Sequence, residues 1–314
     1  MHAESINNSP LVSTVIPTRN RPELVLRAVR SVLNQTYQNL EVIVVIDGPD
    51  PETFSVLGNI NDNRICVVQL SVNVGVSAAR NAGVLRAHGT WIAFLDDDDE
   101  WLPRKIERQL ELAKSTKSDL VLICCRRLTR GRRSGEMRDC ESVQPTSFPR
   151  PDRDWSEYFF CGGNTLLPST YLISRLLFEK MQFAVEERHN EDVAWLLRLK
   201  KSTHFTFLAT DEVLAIYRNE NASGRLSTQQ TWEEMLEWAT SNRTLLTSRA
   251  YAYYVVRTCV GRARLQRESF QTYWLLFKEA FFRGHGDLRC IALFFRLMLL
   301  PSDLRGKLAS CYRK

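Results

Sequence analysis

Gly89-Thr-Trp-Ile-Ala-Phe-Leu-Asp-Asp-Asp-Asp99 is the stretch that decides the fold: five apolar residues, Trp91–Leu95, run straight into four aspartates. The run is apolar on both faces rather than alternating, which predicts a strand buried in a parallel sheet with helices on each side. Such sheets take their ligands beyond the carboxyl ends of their strands, where the aspartates begin. Outward from this point, Leu11–Ile16, Glu41–Ile46, Ile65–Leu70 and Leu120–Cys124 read as further strands. Pro22–Leu33, Val76–Ala87 and Pro103–Lys114 carry the spacing of helices. The alternation predicts an α/β fold with a mostly parallel sheet flanked by helices.

Beyond this region, Arg126–Arg153 reads as a basic, turn-rich, mobile loop. A second block is expected to hold a strand at Leu166–Ile173, a helix starting at Asn190, and two short strands at His204–Leu208 and Glu212–Tyr217. From Thr231 the spacing is helical to the end. The chain of 314 residues, 44% apolar and 25% charged, has the proportions of a globular protein and excludes a disordered one. Its domains are expected at 1–228 and 229–314.

Lys and Arg exceed Asp and Glu, 42 to 36, and the excess is local. Residues 249–314 hold thirteen basic and four acidic side chains, so this end calls for an anionic neighbour or open solvent. The eight cysteines form no C-x-x-C pair, and the first twenty residues lack the apolar run of a signal peptide. Both features suit reduced thiols in the cytoplasm. Ile291–Leu300 is ten residues interrupted by Arg296, well short of the ~20 needed to span a bilayer.

Four adjacent carboxylates repel one another unless something positive sits among them, and a divalent cation answers that need. Carboxylates without nearby His or Cys select a hard ion, Mg²⁺ or Mn²⁺, with positions left for water or phosphate oxygens. A solvated acidic turn ahead of Pro103 is the plainer alternative. A second acidic pair, Glu191-Asp192, follows Asn190; by itself it reads as a helix start, with an Asn cap and acids in the first turn. Together the two clusters offer a metal with a nucleotide diphosphate, and a carboxylate base. In Asn73–Gly83, Gly75 permits a tight helix entry, Gly83 a close approach of helix to sheet, and Arg80 a reach toward phosphate or base. Neither G-x-G-x-x-G nor G-x-x-x-x-G-K-[ST] occurs, which removes the main support for dehydrogenase and P-loop readings.

Taken in order, Val15-Ile-Pro-Thr-Arg-Asn20, Asp47, Asn73-x-Gly75, Ala79-Arg-Asn-x-Gly83, Gly89–Asp99 and Glu191-Asp192 resemble the family 2 glycosyltransferases of the Rossmann-like GT-A fold. The resemblance implies a nucleotide-sugar-binding catalytic domain, 1–228, with a helical C-terminal extension. It implies that Pro17, Thr18, Arg19 and Asp47 hold the nucleoside, with Arg80 and Asp97 also at the donor. The family's Asp-x-Asp maps onto Asp96 and Asp98, with Asp98 as metal ligand and Asp96 nearer the ribose; Asp97 and Asp99 remain candidates. The general base falls on Asp192, with Glu191 as fallback. Many members carry a His shortly after a Tyr-Arg pair, whereas Tyr217-Arg218 is followed here by Asn219-Glu220, so Arg218 or Arg225 is expected to supply that positive charge. The implied activity is inverting transfer of a sugar, from a UDP-sugar first of all, to an acceptor hydroxyl in cell-surface polysaccharide or lipopolysaccharide synthesis.

The segments Tyr273–Phe282 and Ile291–Leu300, with Arg283, Arg289, Arg305 and Lys307, have the composition of a helix lying on an anionic membrane, or equally of a helical cap. The first implies a glycan or lipid-linked acceptor and a peripheral position on the inner face of the membrane. Two rival readings are a nucleotidyltransferase, which would carry a Gly-rich phosphate loop near the first strand, and a nucleic-acid-binding protein using the basic segments. No nucleic-acid reading module is recognisable, so no nucleic-acid partner is expected.

Overall fold

The computed structural model describes residues 9–132, 139–218 and 230–299. They divide into two compact units. Among the described residues the first comprises 9–130, 141–145 and 166–218; the second takes 131–132, 139–140, 146–165 and 230–299.

The first unit is built on a nine-stranded sheet. Strands β1 (Val12–Thr18), β2 (Leu40–Ile46), β3 (Ile65–Gln69) and β4 (Trp91–Phe94) form its parallel half in the order β3-β2-β1-β4. The other half continues with β8 (Tyr171–Ser174), β6 (Val121–Arg132), β9 (Thr206–Arg218) and β5 (Glu100–Trp101), while β7 (Asp139–Gln144) pairs with β6. Here β8 is antiparallel to both β4 and β6, and β9 is parallel to β6.

Alternation along the strands decides which helices cover each face. Val12, Ile16, Val42, Val44, Ile46, Ala93 and Leu95 point to one side. There they meet α1 (Pro22–Leu33) through Val25, Ala28, Val29 and Val32, whose spacing of three and four residues is that of one helix face. Each buried Val contributes roughly 1.5–3 kcal/mol relative to exposure. Pro22 starts α1 because a first-turn residue needs no N–H partner. On the same side α2 (Pro51–Gly58) adds Leu57, and α4 (Lys105–Ala113) adds Ile106 and Leu110.

Val15 and Val45 point the other way, toward α3 (Val76–Arg86). Gly83 lets that helix come close: a Cβ there would stand 2.3 Å from Val15 Cγ1. On this face an aromatic cluster joins β4 to the later elements. Phe94 lies 5.4 Å from both Phe178 of α6 (Arg175–Lys180) and Phe183, and Trp195 of α7 (Glu191–Ser202) lies 5.2 Å from Phe183.

Three expectations change. Arg126–Arg130 belongs to a strand: β6 runs on to Arg132 and pairs with β9 as far as Arg218, and the rest of the supposed loop includes β7. The two short strands expected at His204–Leu208 and Glu212–Tyr217 are one strand, β9. The polar Thr210-Asp-Glu212 between them is a register shift in which Asp211 points outward to Arg126 at 2.7 Å. Leu166–Ile173 begins instead with a single 3₁₀ turn, Pro168–Thr170, because Pro168 supplies no ladder N–H; the strand starts at Tyr171.

In the second unit, helix Trp232–Ser241 begins with a capping box between Thr231 and Glu234. Ser248–Tyr254 runs through a π-helical stretch, Val255–Val260, into Gly261–Leu265. Phe270–Lys278 passes into Glu279–Arg283, and Leu288–Leu299 follows. The short helix α5 (Trp155–Phe160) packs among them, with Phe160 5.0 Å from Tyr254 and 6.0 Å from Trp238. Among the described residues no helix is long and apolar enough to cross a membrane, and the six cysteines whose side chains are described are free.

Candidate active site

The chain leaves the sheet after β4 and turns at the aspartates, the Asp99 amide donating to the Asp96 carbonyl. Alternation persists through this turn and sorts the four carboxylates into two kinds. Asp97 and Asp99 point inward. Asp97 accepts from Thr18 Oγ1 at 2.8 Å and from Arg21 Nη1 at 3.0 Å; Asp99 accepts from Ser169 Oγ at 2.5 Å, and that hydroxyl in turn receives the Asp96 amide. Asp96 and Asp98 point outward, with side chains 29% and 22% exposed. Burial pushes Asp97 up to about 6, against the pull of Arg21. Of the four identical residues, Asp96 and Asp98 are thus the accessible pair.

Arg80, on α3, is 3% exposed and donates from Nη2 to Asp96 Oδ1 at 2.6 Å and from Nη1 to Glu191 Oε1 at 2.9 Å. Its guanidinium carbon lies 5.3 Å from the centre of the Phe183 ring. Burial works against its charge, but the Asp96 and Glu191 carboxylates more than offset this, and its pKa is raised. The two acidic clusters separated in sequence thus meet at one guanidinium. Arg80 serves here as a bridge between carboxylates.

Asp192 lies half-buried in the first turn of α7 and accepts the Val193 amide at 2.8 Å. Desolvation, and then the neighbouring Glu191 charge, push its pKa up to about 7, with Arg80 pulling the other way. Glu191 itself is engaged by Arg80. The helix start differs from the expected Asn cap: Asn190 stands in the left-handed region at φ 51°, and its side chain does not cap α7.

The remaining expected residues surround this corner. Pro17 and Thr18 end β1, both buried, while Arg19 is exposed beside Asp50. Asp47 is occupied with the backbone: its carboxylate accepts the amides of Val74 at 2.7 Å and Gly75 at 3.0 Å, and so fixes the entry to α3, where Gly75 adopts φ 90°. Arg218 ends β9 and forms an ion pair with Glu100, which Arg27 Nε also reaches at 3.1 Å. Arg225 lies outside the described residues. Arg21, Arg27 and Ser169 gave no signal in the sequence, since no spacing rule links them to the aspartates. They correct one argument: guanidiniums and hydroxyls already offset much of the repulsion within the cluster, so a cation is not required merely to relieve it.

The accessible oxygens nonetheless suit a hard divalent ion. Among the described residues no group of three or more His, Cys, Asp or Glu is placed to enclose a metal. Two outward carboxylates, Asp98 and Asp96, match an ion that binds through one or two protein carboxylates and takes the rest of its ligands from phosphate and water.

The sequence profile of Glycosyl transferase family 2 matches residues 13–175. A putative colanic acid biosynthesis glycosyl transferase, WcaA of Escherichia coli (strain K12), is 39% identical over 103 residues, 32% of this chain and 37% of that protein's length. A putative teichuronic acid biosynthesis glycosyltransferase, TuaG of Bacillus subtilis (strain 168), is 31% identical over 219 residues, 69% of this chain and 82% of the relative. Among solved structures, S. aureus TarS 1-349 in complex with UDP-GlcNAc superimposes with a TM-score of 0.58 at 17% identity, over 91% of this chain and 79% of that one, which bears on the fold alone. The profile covers more than half of the chain and the match to TuaG most of that relative: this chain belongs to glycosyl transferase family 2.

Proposed function

We propose that the chain transfers a sugar from a nucleoside diphosphate sugar, a UDP-sugar first of all, to a hydroxyl of a glycan or lipid-linked acceptor, with inversion at the anomeric carbon. We place the reaction in cell-surface polysaccharide synthesis, on the cytoplasmic side and peripheral to the inner face of the membrane. The names of WcaA and TuaG support the pathway class, and the UDP-GlcNAc held by TarS supports the donor class. A nucleotidyltransferase or a nucleic-acid binder falls outside this family. The single observation that carries the chemistry is the meeting of Asp96 and Glu191 at Arg80, beside a carboxylate, Asp192, raised toward neutrality.

An acceptor hydroxyl is too weakly acidic to attack unaided, and a carboxylate with a pKa near the working pH is suited to take its proton. Asp192 does so as the acceptor oxygen bonds to the anomeric carbon and the bond to the diphosphate breaks. Attack from the face opposite the leaving group inverts the configuration. Arg80 keeps Asp96 and Glu191 in fixed relation. Asp98, with Asp96, would hold Mg²⁺ or Mn²⁺, which when bound supplies charge stabilisation for the leaving diphosphate.

The test is Asp192→Asn. Turnover is expected to fall at least ~100-fold, with donor binding retained in a thermal-shift assay. A variant turning over at the normal rate removes Asp192 from the role, and NMR of the product's anomeric proton decides inversion.

A further inference from the structure

The second unit exposes large apolar side chains along two consecutive helical stretches. Phe270 (75% exposed), Trp274 (50%) and Phe282 (68%) stand out along 270–283, while Leu276 and Ala280 turn inward. Along Leu288–Leu299, Leu288, Phe295 and Leu299 are exposed, while Cys290 and Phe294 are buried. The rings join the two rows: Trp274 stacks on Phe277 at 5.6 Å, and Phe277 meets Phe295 at 6.2 Å. The result is one continuous aromatic face rather than scattered exposed residues, and a face of this kind marks an interaction site.

The exposed charged side chains along these two stretches are all cationic. Lys278 Nζ lies 5.3 Å from the Trp274 ring centre, and Arg283 and Arg289 are exposed. The nearby acids are part-buried and engaged within the unit, Glu268 with Thr272, Glu279 with Arg283 and Tyr251, and Asp287 with Arg249 and Tyr253. The sequence beyond 299 adds Arg305, Lys307, Arg313 and Lys314 against Asp303 alone. A two-fold contact with a second copy would set these cations against themselves, and residues 300–314 would bring more positive charge onto them. An anionic lipid surface complements both the rings and the cations.

We propose that the face formed by Phe270, Trp274, Phe295 and Leu299, bordered by Lys278 and Arg289, docks onto an anionic bilayer, with the aromatic rings at the level of the headgroups. The helices lie in the interface, since none among the described residues is long enough to cross. This rests on the peripheral position proposed above and names the surface responsible for it.

Flotation of the full chain with phosphatidylglycerol-containing vesicles, without donor or acceptor, tests the docking separately from catalysis. At low salt the bound fraction is expected to exceed that on pure phosphatidylcholine at least ~10-fold, and to fall steeply at about 0.5 M salt. Trp274→Ser combined with Phe295→Ser is expected to reduce partitioning at least ~10-fold, and so is Lys278→Glu combined with Arg289→Glu, each with an unchanged unfolding midpoint. The proposal is overturned by absence of flotation on anionic vesicles, or by flotation of both double variants to the wild-type extent. A dimer in sedimentation that the Trp274/Phe295 variant abolishes would make a second copy the occupant. A chain that floats only after residues 300–314 are deleted would make the tail the occupant. Loss of flotation with transfer to a soluble acceptor intact would refute the docking alone, whereas flotation by a chain without transferase activity would refute only the enzymatic reading.

Discussion

Arg80 can hold two carboxylates at once because a guanidinium presents several N–H donors in a rigid fork, which an ammonium cannot do. Its charge also bears on Asp192, whose raised pKa sets the sign of the pH dependence. With ionised Asp192 as the proposed base, kcat/KM is expected to decline as pH falls through about 7. Arg80→Gln removes a cation that holds that value down, so the acid limb should move to higher pH. A pH–rate profile checks this, and an unmoved limb would detach Arg80 from the base. At this scale the sequence was only half legible. Asp-x-Asp and Glu-Asp stood out as acidic clusters, but four identical residues carry no mark of which point inward. That depends on Thr18, Arg21 and Ser169, which are distant in sequence.

At the scale of elements, α3 lies against the sheet at the distance that Gly83 permits. An added Cβ would stand 2.3 Å from Val15 Cγ1 and 3.0 Å from Val45 Cγ2, both on strands that cannot easily yield. Gly83→Ala should therefore destabilise by roughly 1–3 kcal/mol, read from urea unfolding; a neutral result would show that α3 can shift. Helix α4 offers a second test through Lys105, fully buried, bonded to the Tyr171 carbonyl at 3.0 Å and lying 3.9 Å from the Trp101 ring centre. Burial lowers its pKa from 10.5 to about 8. Between these values the unfolded chain holds the proton and the folded one does not, so this group makes stability rise with pH. The buried thiols of Cys124 and Cys125, raised by desolvation, act in the opposite direction. The difference between the wild type and Lys105→Met isolates the lysine: the variant should lack the gain between pH 8 and 10.5, and equal slopes would contradict the assignment. Elements with strong periodicity, such as α1 with Val25, Ala28, Val29 and Val32, were legible to the residue. Strand β9 was not, because Thr210-Asp-Glu212 reads as a turn locally and only its pairing with β6 shows a bulge.

For the whole molecule, the order of the strands through β4 followed from hydrophobic pattern alone, whereas helix α2 between β2 and β3, with only Thr53 and Leu57 buried, left too faint a pattern to be read. Residues 146–165 precede β8 and group with the C-terminal helices. Within that unit Phe160 rests on Trp238 and Tyr254, Thr247 donates its amide to Ser156 Oγ, and Arg249 pairs with Glu157. Trp155 and Phe159 are buried as well. Ending the chain after Arg218 removes those partners and leaves Phe160 of α5 without the Trp238 and Tyr254 rings that pack on it. Exposed apolar surface of that kind promotes aggregation. A chain of residues 1–218 is thus expected to be less soluble than the full chain and to be cleaved by protease within 146–165 well before the sheet is. Proteolysis with mass analysis of the fragments reads this directly. If the shortened chain stays soluble and its 146–165 segment resists cleavage as in the full chain, that segment does not depend on the C-terminal helices for its cover.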